Sequence, residues 1–215
     1  MALAPKHLVL LAAFPLALAA QQSQPTDTTN TTSTTTSRPS QAPSRAHYWR
    51  TLTLGFASSI LFHESAHVVT AMAVGAHPHI GFDKGRPTIY SGINATSDPH
   101  KQFLFSSAGL TVQAILDEGI LDVPHSRGSA YERGLLTGGI ATAFFYATLG
   151  RNASNSDITF MARTSSLSKT QASMIYAGLA AIHTVRIARD GHYADFFVRP
   201  GPTAGMRVGV AILPE

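Results

Sequence analysis

The sequence predicts a mainly α fold: a polytopic helical membrane bundle of about four helices, with a small β-hairpin insertion and a C-terminal hairpin. Three observations predict it. Hydrophobic residues make up 44% of the chain and charged residues only 13%, against a usual charged fraction of roughly a quarter. The run "TLTLGFASSILFHESAHVVTAMAVGA", residues 51–76, contains no Lys, Arg, Asp or Pro and is long enough for a tilted span. Two later runs, residues 134–150 and 170–185, are uncharged but near the lower limit for a span, so a compact helical protein outside the membrane stays open.

The mean hydropathy of +0.07 understates this pattern, because polar segments dilute the apolar ones. The net charge is +4 and the pI about 9.6. The basic residues are scattered without interleaved aromatics, so a nucleic-acid partner is not expected. A modest basic excess between apolar runs suits an anionic lipid surface. There is no cysteine, which excludes disulfides and thiolate metal ligands.

The chain opens "MALAPKHLVLLAAFPLALAA". Lys6, an apolar stretch from Leu8 to Leu16 and an Ala17-x-Ala19 pattern read as a secretory signal over residues 1–19, too short for a span. Residues 20–46 are Thr-, Ser- and Pro-rich, with nothing to bury, and read as a disordered linker. Asn30, Asn94 and Asn152 begin N-glycosylation-type triplets.

A helical domain is expected over residues 47–190. Tyr48, Trp49 and Arg50 stand where interfacial anchors precede a span. Residues 77–101 read as two short strands about the turn "DKGRP". "KQFLFSSAGLTVQAILDEGIL" reads as the second helix. On it Gln102, Ser106, Gly109, Gln113 and Asp117 recur at steps of four, three, four and four, one polar stripe on an apolar helix. A third helix covers about 131–149, with glycines that permit close packing. A short helix follows from Ser156, then another over 169–189. Residues 191–215 read as an extended segment or a hairpin about "PGPTAG".

The chemistry lies in His63-Glu64-Ser65-Ala66-His67, an H-E-x-x-H motif. Helical residues four apart share a face, so both imidazoles can meet one Zn²⁺. Glu64 falls beside the metal and can take a proton from a zinc-activated water that attacks a peptide carbonyl. The plainer alternative, two core histidines capped by Glu64, buries three polar groups at a cost of several kcal/mol unless each is paired. Catalytic zinc takes three protein ligands. Thr70 and Ala73 exclude the metzincin extension of the motif.

"FHESAHVVTAMAVGAH" resembles the first core helix of site-2 proteases, the intramembrane zinc metalloproteases, with Ser65-Ala66 in place of the usual x-Gly. "SSAGLTVQAIL" is similar to that family's A-G-P-x-x-N segment, with Leu110 for Pro and Gln113 for Asn. The resemblance spans about residues 55–165 and implies a membrane-embedded protease cleaving in or near membrane segments of other proteins. It implies Asp157 as third ligand, though the family's L-D-G is absent, and Gln113 and Asn155 as substrate-binding residues. The rival third ligand is Glu118, as in an exported soluble or peripheral zincin; a non-catalytic membrane zinc protein is the remaining alternative. Two structural roles compete with these. Ser156-Asp157 begins a helix, so Asp157 can serve its N-terminus, and Gln113 can bridge helices. The remaining histidines fall mostly in loops; a lone helical one such as His183 reads as a packing residue.

Overall fold

A computed structural model describes residues 44–83, 86–193, 195–200 and 206–211. The expected signal and almost all of the expected linker lie outside them, as does most of the turn in the C-terminal hairpin. The order is α1 (Arg45–Ala73), β1 (His79–Asp83), β2 (Arg86–Tyr90), α2 (Pro99–Asp122), α3 (Ala130–Ala147), a 3₁₀ turn (Gly150–Asn152), α4 (Asp157–Arg163), α5 (Lys169–Arg189), β3 (Asp195–Pro200) and β4 (Met206–Ala211). The strands form two antiparallel pairs, β1 with β2 and β3 with β4.

Local chemistry sets the helix ends. The Ser44 side chain accepts a hydrogen bond from the His47 backbone N–H, so α1 begins inside the segment expected to be linker. Ser129 with Glu132, and Ser168 with Gln171, form reciprocal capping boxes at α3 and α5. Pro99 sits in the first turn of α2, where its missing N–H costs nothing. Gly75, at φ 79°, ends α1: its N–H reaches the Met72 carbonyl and that of Ala76 reaches Ala71.

α1 packs mainly on α3 and α2. Gly55 and Gly134 meet where a Cβ on either would lie 2.1 Å from a carbonyl oxygen of the other helix, so α1 and α3 run nearly backbone to backbone. α4 lies against α2, and Leu110, Ile158, Met161, Ala172 and Tyr176 form an apolar core between α2, α4 and α5. Leu121, Leu136 and Tyr193 form a second core cluster.

The membrane-bundle expectation is corrected. No described helix is long and apolar enough to cross a membrane. α1 has the length, with 29 residues; it lacks the apolarity, because His63, Glu64 and His67 interrupt it and threonines and serines dilute it. α2 carries Lys101, Asp117, Glu118 and Asp122, and α3 begins with Glu132 and Arg133 in its first turns. α1 also distributes its residues unusually. Ser59, His63, Ala66 and His67 face inward, while Leu54, Leu61 and Met72 are exposed.

Candidate metal centre

His63 and His67 point from α1 toward α2 and α4 and are 2% and 4% exposed. Each ring is held by its Nδ1. His67 Nδ1 lies 2.7 Å from the Phe105 carbonyl oxygen, and a carbonyl only accepts, so this nitrogen carries the proton. His63 Nδ1 lies 2.9 Å from Gln113 Oε1. The orientation of that amide is fixed from its other end, where Gln113 Nε2 donates to the Ser59 carbonyl at 3.2 Å and to Ser59 Oγ at 3.0 Å. His63 Nδ1 is therefore a donor as well. Both Nε2 atoms are left with lone pairs, and they lie 3.1 Å apart.

Asp157 supplies the third atom. Ser156 caps α4, accepting from Thr159 N–H, and this sets Asp157 at the first helical position. Ile158 and Met161 seat α4 in the core. Asp157 Oδ2 then lies 3.1 Å from His63 Nε2 and 3.4 Å from His67 Nε2. It is buried and has no hydrogen-bond donor.

Three electron-pair donors that face one another at these distances repel unless a cation lies among them. A proton is the smallest that serves. Burial opposes charge on His67, but the Asp157 carboxylate beside it prevails and its pKa is raised. Burial likewise opposes charge on Asp157, yet the two imidazoles hold its carboxyl at about 2. A metal ion can serve in the same place. The separations of 3.1, 3.1 and 3.4 Å match the edge of about 3.3 Å expected between ligands of a tetrahedral zinc at roughly 2.0–2.1 Å. His63, His67 and Asp157 form a group that can hold a metal ion, all of it buried.

Gly109 makes room for the site. A Cβ there would lie 2.5 Å from His63 Nε2. Tyr146, from the end of α3, stacks on the His63 ring, with centroids 5.5 Å apart and planes 14° from parallel. The site opens on a cavity of about 210 Å³ whose lining includes Glu64, His67, Tyr90, Tyr146, Asn155 and Asp157. β2 forms part of its wall, and the Ser91 hydroxyl just beyond it donates to Gln102 Oε1 on α2 at 2.8 Å.

The chain matches no family model, no curated protein and no solved structure.

The structure brings His63, His67 and Asp157 to one point and places Glu64 and Asn155 at the adjoining cavity. It places two other candidates elsewhere. Gln113 lies behind His63, with its amide spent on His63, Ser59 and Thr142, and is not part of the cavity wall. Glu118 bonds to His183 and pairs with Arg186 across the α2–α5 contact. Asp117, which continues the polar stripe beyond Gln113, faces His183. Sequence reasoning missed the Phe105 carbonyl and Tyr146. A backbone acceptor has no residue-type signal, and Tyr146 looks like any aromatic in an apolar run.

Proposed function

We propose that this chain is a zinc-dependent peptidase, with His63, His67 and Asp157 holding the metal and Glu64 as general base. One observation carries the reading: three convergent electron-pair donors stand beside a cavity that a glutamate from the same helix turn also lines. A structural metal site has no use for a carboxylate in that place, and a site opening on a cavity leaves a ligand position for water or substrate. The resemblance to site-2 proteases supports the same ligand set and the same base.

A zinc ion at this point supplies Lewis acidity, which polarises a carbonyl and makes water acidic near neutral pH. The residues of the chain do the rest. Nδ1 contacts to Gln113 and Phe105 fix both imidazoles in the tautomer that turns Nε2 to the metal. Glu64 takes a proton from the attacking water as its oxygen bonds to the peptide carbonyl carbon. It gives that proton to the departing amine nitrogen as the C–N bond breaks, and the water's second proton passes from the new carboxyl to the amine, leaving a carboxylate and an ammonium. Asn155, on the cavity wall, contacts the substrate backbone.

The test is hydrolysis of a quenched fluorescent peptide mixture by zinc-loaded protein. Cleavage is expected to stop on chelation, and to fall by about 10²–10⁴-fold in Glu64→Gln while zinc is retained. Equal cleavage by Glu64→Gln and the parent chain would overturn the role of Glu64.

A further inference from the structure

The polar stripe of α2 does not end at the metal centre. One turn beyond Gln113 it reaches Asp117, which is 2% exposed. Asp117 Oδ2 lies 3.3 Å from His183 Nδ1 on α5, and its Oδ1 has no partner. The other nitrogen of His183, Nε2, lies 2.9 Å from Glu118 Oε1. A neutral imidazole has one N–H and can satisfy only one of these carboxylates; an imidazolium satisfies both. Glu118 is paired further with Arg186, which also reaches Asp122. From α3 the neighbour of Asp117 is Gly139, where a Cβ would lie 2.6 Å from Oδ2. That side contributes neither charge nor room. Tyr176, on the rim of the small cavity beside Asp117, has its hydroxyl bonded to Thr111.

α2 holds both metal-facing imidazoles, His63 through the Gln113 side chain and His67 through the Phe105 carbonyl. Its attachment to α5 therefore bears on the metal. We infer that Asp117 and His183 are positioning residues for the metal centre: their buried charge pair ties α5 to α2 and fixes the helix that orients His63 and His67. This rests on the metal-site reading above.

The pair needs the imidazolium. The hydrogen bond to Asp117, against the opposing effect of burial, raises the His183 pKa above its ordinary 6.5. Burial pushes the Asp117 carboxyl up, and the hydrogen bond to His183 opposes that shift. The sign follows. The contribution of His183 is complete below pH 6.5 and is lost as pH rises through the raised value, which strands a buried carboxylate.

Zinc affinity of the full chain, measured by chelator competition from pH 6 to pH 9, tests this. At low pH, Asp117→Asn and His183→Gln are expected to bind zinc about tenfold more weakly than the parent, at the lower end of what outer partners of metal ligands contribute. That difference is expected to shrink as pH rises through the raised His183 value. Variants that bind like the parent at pH 6, or a gap constant with pH, would overturn the inference. Coupling is reciprocal, so the parent chain gives a second reading that needs no variant to fold. Zinc loading is expected to raise the imidazole NMR titration midpoint of His183 by about one unit, the tenfold coupling seen from the other side. An unmoved midpoint would contradict it. Failure of the underlying metal reading looks different: the parent chain itself binds no zinc at any pH.

Discussion

Gln113 Oε1 accepts a hydrogen bond from His63 Nδ1 at 2.9 Å, and that contact decides which nitrogen of His63 turns to Asp157. The amide is itself fixed by Ser59, one turn before His63 on α1. A single side chain thus sets the tautomer, the ring orientation and the spacing of α1 from α2. Gln113→Leu leaves a buried donor without a partner, at a cost of roughly 1–3 kcal/mol. It is expected to weaken zinc binding about 10–100-fold, measured by chelator competition; parent-like affinity would remove Gln113 from the site.

Asp157 and Glu118 part company in the structure, and their alanine variants should do the same. Asp157→Ala removes one of three convergent atoms, so zinc is expected to be lost on equilibrium dialysis. Glu118→Ala breaks contacts on the α2–α5 surface and is expected to keep one zinc per chain. The reverse pattern would reinstate Glu118 as the ligand.

Gly109→Ala tests the space beside His63. Its Cβ would stand 2.5 Å from Nε2, the atom turned to the metal. The helix gains a better helix former, yet the ring must move. Metal binding is expected to fail, with a loss of roughly 1–3 kcal/mol in stability from overpacking. Circular dichroism melts with and without zinc separate the two effects. Unchanged zinc binding would mean that the ring is not held where it stands.

The pH dependence has a definite sign. In the metal-free chain, His67 has a raised pKa, so its contribution is complete below pH 6.5 and lost as pH rises through the raised value. Asp157, held at about 2, contributes above its ordinary 3.8, and that contribution is lost only as pH falls through about 2. Zinc replaces the proton among these groups and is bound better as pH rises. The gap in Tm between zinc-loaded and metal-free protein is therefore expected to widen from pH 6 to pH 8. The His183 pair, with the same direct contacts in both forms, affects this gap only through its coupling to the metal. In His183→Gln, which lacks that coupling, a gap that narrows would mean the metal does not displace that proton.

Much of the site was legible in the sequence because helical periodicity is strict. His63 and His67 are four apart, and the stripe of Gln102, Ser106, Gly109, Gln113 and Asp117 is buried as its spacing requires. What periodicity cannot give is the target of a buried polar group. For Gln113 the sequence leaves a substrate contact and a helix–helix hydrogen bond equally open, and the side chain bridges α2 to His63 and Ser59 on α1; Asp117 and His183 meet each other across 66 residues. The membrane span was misread for a related reason. A run whose one charged residue is Glu64 looks like a span, but α1 turns His63 and His67 inward, and its polar residues hold its apolarity below what a crossing helix needs.

Everything proposed for the site requires that His63, His67 and Asp157 hold one metal ion. Zinc K-edge absorption spectroscopy on the stoichiometrically loaded chain tests it most directly. Two imidazole nitrogens and one carboxylate oxygen at about 2.0–2.2 Å are expected, with that shell lost in Asp157→Ala. Zinc with an unchanged shell in Asp157→Ala, or no stoichiometric zinc in the parent chain, would contradict the account.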